Sequence, residues 1–401
     1  MVFAFRRQPL KAIYLTGRVV ALLFVQVPFW TVLYAIPAAR PRPSWSLSRC
    51  LIVSVYRVFV NVMYSTTPMA HDSPEKFSTE AEKVGFVWVD PTPELLSGEV
   101  ETLAEKNNVV AERTSGFWYG PRGPDGKFGQ PALANEKVIY HFHGGGFVMG
   151  TAHPSNGAMT TMANGLLEHF PANTRLFALE YRLSSHEPFA VANPFPAALL
   201  DALAGYKYLV ESLHYDPKNI IIGGDSAGGA LAFWLARYLA ISNLPNLPNA
   251  GGLLLLSPTV DWANTRMDRD SSMQKHSSSD FVYTILTCGY TLRALMGNLP
   301  LSDAPSNVWI APGSTQNDAP GLFTGLPKTV IVAGGAEQTL DAMVVLRDRL
   351  ERDIGKDNVK YIEKPDATHD YLTASWHEPE RTETLVELGE WVRGDIWSST
   401  A

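Results

Sequence analysis

From about residue 84 onward, short apolar runs alternate with helical patterns along the chain. Six of the runs are almost continuously hydrophobic, as is typical of parallel strands that helices cover on both faces. These runs lie at 138–142, 176–179, 220–222, 253–256, 330–332 and 359–362. Helical periodicity lies between and after them, at 196–209, 227–240, 341–352 and 383–392. The order predicts an α/β fold with a mostly parallel central sheet flanked by helices.

The alternation stops between residues 262 and 326. This segment is rich in Ser, Asp, Asn and Pro, and its only helix-like part is an apolar island at 281–296. We interpret it as a lid insertion after the run at 253–256, the sixth strand of the expected sheet. Together with the N-terminal segments it is predicted to form a helical cap on a hydrolase-like domain that covers residues 84–401.

Two hydrophobic stretches precede that domain. Residues 19–36 carry no charged side chain. This uncharged stretch is long enough for a helix that spans a membrane. We predict that residues 1–40 form a single-pass anchor, with the endoplasmic reticulum as the expected location. A cap helix on a soluble cytoplasmic protein is the alternative. Basic residues on both sides of the stretch leave its orientation open.

The second stretch lies within residues 41–83, which we predict to form a cap or interfacial helix and a linker. Its apolar part, 50–64, carries Ser54, Arg57 and Asn61 at a spacing that places them on one side of a helix. That polar stripe predicts a position at the surface of the protein.

Composition narrows the class of protein. With 46% hydrophobic and 18% charged residues, the 401-residue chain is typical of a globular protein rather than a disordered or coiled-coil one. The net charge of −7 and the lack of long Lys or Arg runs argue against binding of nucleic acid. Two cysteines, Cys50 and Cys288, are too few for a disulfide framework.

The strongest chemical motif is Gly-Asp-Ser-Ala-Gly at 224–228. It directly follows the run at 220–222 and directly precedes the helical pattern that starts at Ala227. A sharp strand-to-helix turn exposes the central serine at a helix N-terminus, where free N–H groups favour negative charge. Ser226 is therefore the candidate nucleophile. The alternative, a glycine-rich turn with an incidental serine, is weaker because strand and helix are both in place.

A second glycine motif, His-Gly-Gly-Gly at 143–146, follows the run at 138–142. Consecutive glycines present unhindered backbone N–H groups, which an oxyanion hole requires. The candidate donors are the amides of Gly144, Gly145, Gly146 and Ala227.

His141 and His143 would point to the same side of a strand, which raises the possibility of a metal site. No third ligand motif with zinc spacing accompanies them, so we expect no metal. His143 is expected instead to support the glycine loop.

A serine hydroxyl needs a base, and His369 is the first candidate among ten histidines. It lies in a turn after the run at 359–362, where the order serine, acid, histidine places the base. His377 is the second candidate, and we interpret it as a solvated histidine. For the acid, Glu337 follows the strand at 330–332 and is preferred. Asp341 is the alternative acid, although its position suits the first turn of a helix.

Together these motifs resemble the hormone-sensitive-lipase-like branch of the α/β-hydrolases, which includes arylacetamide deacetylases and fungal steryl acetyl hydrolases. The matching segments, in order, are 143–146, Tyr-Arg-Leu at 181–183, Pro-Phe-Pro-Ala-Ala at 194–198, Gly-Asp-Ser-Ala-Gly-Gly at 224–229, Glu337 with Asp341, and His369-Asp370. The resemblance implies an α/β-hydrolase fold, with the family's nucleophile, acid and base at Ser226, Glu337 and His369. Two departures are a lengthened segment at 184–193 and a Glu where many relatives have Asp.

The hypothesis that follows is a serine carboxylic-ester hydrolase. It would remove a short, acetyl-like acyl group from a hydrophobic alcohol through an acyl-enzyme, and no cofactor is implied. Its expected partners are a small hydrophobic ester and, through the N-terminal helix, a membrane. An arylamide deacetylase is one alternative. A binding protein or receptor with the hydrolase fold and no turnover is another, since fold alone does not decide function.

Overall fold

The computed structural model describes residues 2–68 and 72–397 of the chain. A sheet forms its centre. The strands are β1 (Phe86–Val89), β2 (Thr114–Tyr119), β3 (Val138–Phe142), β4 (Arg175–Glu180), β5 (Ile220–Asp225), β6 (Gly252–Leu256), β7 (Lys328–Gly334) and β8 (Val359–Lys364). They are ordered β1-β2-β4-β3-β5-β6-β7-β8 across the sheet. The pairs β1/β2 and β2/β4 are antiparallel and all other pairs are parallel, so the predicted α/β fold is confirmed.

Helices surround the sheet and extend before it. They are α1 (Leu10–Tyr34), α2 (Leu47–Ser65), α3 (Pro74–Ser78), α4 (Ala81–Val84), α5 (Gly98–Asn107), α6 (Gly157–His169), α7 (Ala197–Lys207), α8 (Ala227–Ser242), α9 (Ser272–Lys275), α10 (Tyr283–Thr287), α11 (Tyr290–Met296), α12 (Leu340–Ile354) and α13 (Glu380–Trp391). Turns of π-helix lie inside α1 at Leu22–Gln26, after α7 at Tyr208–Ser212 and after α13 at Val392–Ile396. Short 3₁₀ turns lie at Pro37–Ala39, Pro93–Leu95, Pro217–Asn219, Leu301–Ser306, Lys356–Asn358 and Tyr371–Thr373.

The sheet separates two large hydrophobic layers. Along β5, Ile220 and Ile222 belong to one layer and Ile221 to the other, because successive side chains of a strand point to opposite faces. Helices cover both layers, which explains why the central strands are almost continuously apolar. The sheet is therefore rigid where its strands end, and the loops at those ends carry the chemical motifs.

Two N-terminal helices, α1 and α2, are each long and apolar enough to cross a membrane. They differ in environment, because no residue in the apolar window of α1 is buried whereas 39% of that window in α2 is. Helix α1 starts at Leu10, nine residues before the apolar stretch predicted from sequence. The polar stripe on α2 does not face solvent throughout. Ser54 is buried and its hydroxyl lies 3.4 Å from that of Tyr34 on α1.

The segment between β6 and β7 contains α9, α10 and α11. The apolar island predicted at 281–296 is two helices rather than one, because Gly289 between them has φ of +74°, a left-handed conformation that ends α10. Thr291 of this segment lies 3.1 Å from the hydroxyl of Tyr64 on α2. Whether the segment acts as a lid stays a prediction.

Candidate active site

Ser226 lies at the turn between β5 and α8. Its backbone has φ of +51° and ψ of −114°, a strained conformation for a residue with a side chain. The tight turn is possible because Gly228 follows, since a Cβ at Gly228 would collide with the carbonyl oxygen of Phe142 on β3. The side chain is thereby held at the carboxyl end of the parallel strands and the N-terminus of a helix.

His369 joins the serine to a carboxylate. Its Nε2 is 2.8 Å from Ser226 Oγ, and its Nδ1 is 2.8 Å from Glu337 Oε2. The tautomer that donates from Nδ1 leaves Nε2 to accept the serine proton. The structure thus brings together the three residues that the sequence predicted for nucleophile, base and acid, although they are distant in the chain.

Glu337 is completely buried in the loop after β7. The hydroxyls of Ser257 and Thr339 donate to its two oxygens over 2.9 Å each, and the backbone N–H of Gly334 donates as well. This set of donors holds the carboxylate in one orientation toward His369.

The alternative acid, Asp341, is positioned differently. It lies in the first turn of α12, where it accepts from the backbone N–H of Ser272 over 2.9 Å and lies 3.8 Å from Arg266. Its contacts are with the start of α9 rather than with the histidine.

His377, the second candidate base, is fully buried, so its interpretation as a solvated histidine is wrong. Its Nε2 accepts from the backbone N–H of Thr368, over 3.1 Å, and burial lowers the pKa of the imidazole. A neutral ring can accept that bond, so His377 supports the loop that carries His369. No sequence pattern indicates this role, because it depends on how the chain folds back between Thr368 and His377.

The glycine loop after β3 lies beside Ser226. The N–H of Gly144 donates to Asp225 Oδ2 over 2.8 Å. Because this N–H is already engaged, we correct the expectation that Gly144 is an oxyanion donor. The amides of Gly145, Gly146 and Ala227 remain as candidates. Gly145 has φ of +120°, and a Cβ there would collide with the carbonyl oxygen of Met149, so glycine is required.

The two histidines near this loop have separate partners. His141 Nε2 is 2.9 Å from Asp225 Oδ1, whereas the His143 ring stacks on Tyr181 and its Nδ1 is 2.7 Å from the Gly144 carbonyl oxygen. Within residues 2–68 and 72–397, no group of three or more His, Cys, Asp or Glu side chains is arranged to hold a metal ion.

Two further carboxylates lie near His369. From the sequence, Asp370 was named only as part of the matching His369-Asp370 motif, and Asp280 was missed. Asp370 Oδ2 is 3.4 Å from His369 Nε2, the nitrogen that faces the serine. Asp280 accepts from the backbone N–H groups of Gln338 and Phe281. Burial raises the pKa of Asp280 to about 7, an effect that the charge of His369 opposes.

The charge on His369 follows from these neighbours. Burial favours the neutral ring, but the carboxylate of Asp370, the hydrogen bond to Glu337 and the charge of Asp280 outweigh burial and raise the pKa of His369. Burial in turn raises the pKa of Asp370. A histidine whose charged form is stabilised in this way is suited to accept a proton from a serine.

A cavity of about 230 Å³ opens beside Ser226 and His369. Most of its wall is apolar. Helix α2 contributes Tyr56, Phe59, Val60 and Met63, and the segment between β6 and β7 contributes Trp262, Phe281, Val282, Ile285 and Leu286. Thr259, whose hydroxyl lies 3.3 Å from Ser226 Oγ, also lines it. The chemistry that this arrangement supports is attack by the serine on an uncharged, hydrophobic molecule.

A family of proteins with the alpha/beta hydrolase fold matches residues 139–373, which is more than half of the chain. The chain therefore belongs to the α/β-hydrolases. The matched segment begins in β3 and ends just after His369, so it contains all the motifs described above.

Relatives with esterase names are similar over this region. The esterase LipI of Mycobacterium tuberculosis is 26% identical over 230 residues, covering 55% of this chain and 63% of LipI, less than two thirds of its length. The versiconal hemiacetal acetate esterase stcI of Emericella nidulans is 26% identical over 223 residues, covering 55% of this chain and 69% of stcI. These relatives support carboxylic-ester hydrolysis as the class of reaction.

Solved structures show the same fold. The structure of the hormone-sensitive-lipase homologue EstE7, from a metagenome library, is 22% identical to this chain and has a TM-score of 0.55. The alignment covers 86% of this chain and 97% of EstE7. The two chains therefore share the fold over nearly the whole length of EstE7.

Proposed function

We propose that this protein is a serine carboxylic-ester hydrolase that removes a short, acetyl-like acyl group from a hydrophobic alcohol. One observation carries the proposal: two contacts of 2.8 Å link Ser226 Oγ to His369 and His369 to the buried carboxylate of Glu337. A weakly nucleophilic hydroxyl becomes reactive when a base accepts its proton, and the carboxylate stabilises the imidazolium that forms.

In the first half of the reaction, Ser226 Oγ attacks the ester carbonyl carbon while its proton passes to His369 Nε2. The negative charge that develops on the carbonyl oxygen is stabilised by the amides of Gly145, Gly146 and Ala227. The tetrahedral intermediate then breaks its bond to the alcohol oxygen. His369 returns the proton to that oxygen, and the acyl group stays on the serine.

In the second half, water replaces the alcohol. His369 takes a proton from the water as it attacks the acyl carbon, and the same amides hold the new oxyanion. Collapse of this intermediate breaks the bond to Ser226 Oγ, which regains a proton from His369. The carboxylic acid leaves and the resting site is restored.

The size and lining of the cavity support the choice of substrate. A volume of about 230 Å³ is below the range of about 300–1,000 Å³ common for pockets that hold drug-sized ligands. Apolar side chains from α2 and from the segment between β6 and β7 favour a hydrophobic substrate. The similarity to an acetate esterase supports the short acyl group.

The test is a panel of p-nitrophenyl esters from acetyl to palmitoyl, assayed with the parent protein and with Ser226→Ala. We expect the short esters to be hydrolysed fastest. Loss of the nucleophile should lower kcat by several orders of magnitude, to roughly 10³–10⁴-fold above water. A fluorophosphonate probe should label the parent protein and not the variant. Folded parent protein that neither reacts with the probe nor hydrolyses an ester would instead identify a binding protein.

Membrane association through α1 belongs to the same proposal. Its support is the length and apolar character of the helix and the exposure of its side chains. Location at the endoplasmic reticulum and location in the cytoplasm both stay predictions.

A further inference from the structure

The N-terminal end of α1 is fixed to the hydrolase. Phe3, which precedes the helix, is fully buried, and its backbone N–H donates to the carbonyl oxygen of Tyr64 over 2.7 Å. The Phe3 ring packs against Phe189 and Tyr290, whose ring centroids lie 4.9 and 4.8 Å away. These two aromatic residues belong to the segment before α7 and to α11, so the contact is with the catalytic domain itself.

The C-terminal end of α1 is fixed to the same domain. Tyr34 is buried, and the guanidinium of Arg40 donates to the carbonyl oxygens of Tyr34 and Trp45. The indole of Trp45 is buried in turn and donates to the carbonyl oxygen of Asp366 over 2.8 Å, three residues before His369.

Helix α2, which follows α1 in the chain, also contacts the catalytic domain at both of its ends. Near its start, Arg49 forms a 2.7 Å ion pair with Glu380 on α13. Near its end, the hydroxyl of Tyr64 is 3.1 Å from that of Thr291 on α11, and its middle lines the cavity. A pair of spanning helices is therefore inconsistent with these contacts, because α2 is part of the wall of the active site.

A single spanning helix is inconsistent with them as well. A helix of 25 residues is about 37 Å long, so a spanning orientation places its ends on opposite sides of a bilayer. Here Phe3 and Tyr34, which flank α1, both contact one folded domain. The helix must lie along that domain, with both ends on the same side of any membrane.

The three longest polar side chains of α1 turn toward the protein, whereas Thr16 and Thr31 are exposed. Lys11 donates to the hydroxyl of Thr67 over 2.8 Å, and Arg18 Nε and Gln26 Oε1 are buried with no hydrogen-bond partner among the described residues. These three residues are spaced by seven and then eight positions. The π-helical turn at Leu22–Gln26 takes up the additional residue, which keeps them on one side of the helix.

The opposite side of α1 is apolar and exposed. Its large hydrophobic side chains that face outward are Leu10, Ile13, Val19, Val20, Leu23, Phe24, Val25, Phe29 and Val32. The exposed surface of α1 is thus almost entirely apolar, which is the reverse of a surface helix in water. This arrangement is favourable when the outer environment is lipid.

The distribution of charge identifies the kind of surface. Before Asp72 the sequence contains eight Lys and Arg residues and no Asp or Glu, although the whole chain has a net charge of −7. Lys11 and Arg18 face the protein and Arg49 is paired with Glu380, so the attraction rests on the summed charge of the region at long range rather than on direct contacts. An anionic lipid surface attracts this basic region and repels the acidic remainder, which also orients the molecule. A second copy of this chain offers no such complementarity, because the same basic regions would meet.

We propose that α1 lies in the plane of an anionic lipid membrane, with its outer face in the boundary between headgroups and acyl chains and the hydrolase on the same side as both of its ends. This inference builds on the proposed membrane association and is independent of the proposed ester hydrolysis.

A flotation experiment tests the binding surface. Purified full-length protein is mixed with vesicles of phosphatidylcholine and phosphatidylserine, or of phosphatidylcholine alone. We expect it to float with the anionic vesicles and less with the neutral ones. The double variant Phe24→Glu, Val32→Glu should lower the bound fraction at least about tenfold. Leu133→Glu is the matched control, because Leu133 is 73% exposed, against 74% and 75% for Phe24 and Val32, and lies just before β3.

Topology is tested with one epitope tag before Met1 and another after Ala401, in protein synthesised with microsomes and treated with protease. An in-plane helix gives both tags the same response. Opposite responses, with one tag protected and one cleaved, would establish a spanning helix and overturn the proposal. So would equal flotation of the parent and the double variant, or a lipid-free dimer that the double variant dissociates.

Hydrolysis of p-nitrophenyl acetate, measured on the same samples without lipid, separates the two proposals. We expect the double variant to retain the parental rate, since neither substituted residue lines the cavity. Absence of hydrolysis in all samples, with normal flotation, would contradict the proposed function and leave the in-plane helix standing.

Discussion

Glu337 and Asp341 lie four residues apart, and only Glu337 contacts His369. The loop after β7 turns Glu337 into the site, where three donors besides the histidine hold its carboxylate. Asp341 lies one helical turn further along the chain, and its carboxylate accepts from the start of α9. The preference for Glu337 therefore depends on where α12 begins, which a sequence pattern locates only to within a few residues.

This difference predicts unequal effects of two isosteric substitutions. Glu337→Gln should lower kcat for p-nitrophenyl acetate by roughly 10⁴-fold, because an amide no longer favours the working tautomer or stabilises the imidazolium. Asp341→Asn should change kcat by no more than a few fold. Steady-state kinetics of the two purified variants makes the comparison. If Asp341→Asn proved the more damaging, the acid would have to be reassigned.

Asp370 gives a pH prediction. Its carboxylate lies 3.4 Å from His369 Nε2. Burial lowers the pKa of the histidine, and the charge of Asp370 is the largest of the effects that raise it. The other acidic groups that act on the ring are Glu337 and Asp280. Asp370→Asn removes one negative charge, lowers the pKa of His369, and keeps the ring neutral at lower pH.

The acidic limb of the kcat/KM profile should therefore move to lower pH by roughly one pH unit in Asp370→Asn. Asp341→Asn, which alters a carboxylate that does not touch the histidine, should leave the limb in place. An unchanged limb in Asp370→Asn, with the protein folded, would mean that the Asp370 charge does not control the base.

At this scale, the sequence was most informative where function requires a local pattern. Ser226 was identifiable because the turn needs glycines at fixed positions between a strand and a helix. Asp280 and Thr259 were not, because each meets the site from a segment distant in the chain. The support that His377 gives to the His369 loop was not either, because it depends on how the chain turns between Thr368 and His377.

Among the elements, the buried parallel strands were the easiest to predict. All six apolar runs are strands. Five of them are buried at nearly every position, which leaves a continuous hydrophobic signal, whereas β8 lies at the edge of the sheet and is mostly half-buried. Strands β1 and β2, at the antiparallel edge, were not assigned from sequence. Helix α6 was missed as well, because it contains Gly157, Asn164, Gly165 and several Thr, which are weak helix formers.

The connection between α1 and α2 contacts both loops that carry catalytic residues, although its only regular element is one 3₁₀ turn. The guanidinium of Arg42 donates to the carbonyl oxygen of Gly335, two residues before Glu337. The hydroxyl of Ser44 donates to the carboxylate of Asp366 over 2.7 Å, and Trp45 donates to the carbonyl oxygen of the same residue. One short segment thus holds the loop of the acid and the loop of the histidine together.

Trp45→Ala tests whether this segment holds the loop of the acid and the loop of the histidine together. Removing a buried indole should lower the free energy of unfolding by about 3–5 kcal/mol and should also reduce ester hydrolysis, since the His369 loop loses a hydrogen bond. Trp30→Ala, at a partly buried tryptophan on α1, is the comparison and should cost less on both measures. Urea unfolding and kcat are measured for both variants. If Trp45→Ala kept the parental free energy of unfolding and the parental kcat, Trp45 would not support the His369 loop.

Across the whole molecule, the N-terminal region bears on two functions, membrane contact and capping of the cavity, that the sequence suggested as alternatives. Anchor and cap were weighed against each other because each accounts for a long apolar stretch. In the structure α1 is exposed while α2 lines the cavity, so α2 caps the cavity and the proposed membrane contact falls on α1. Only tertiary contacts reveal this division, because both helices pass the same test of length and hydrophobicity.

Two truncations separate these functions. A chain that begins at Pro37 lacks α1 but keeps Arg42, Ser44, Trp45 and α2. We expect it to lose vesicle binding and to hydrolyse p-nitrophenyl acetate within a few fold of the parental rate, because both catalytic loops keep their contacts with the segment. A chain that begins at Leu47 also loses those contacts, and its rate and thermal stability should fall well below those of the first. Flotation, kinetics and thermal unfolding of both chains provide the comparison.

Equal activity in the two truncated chains would show that the segment does not support the catalytic loops. An inactive but folded chain from Pro37 onward would show that α1 itself shapes the active site.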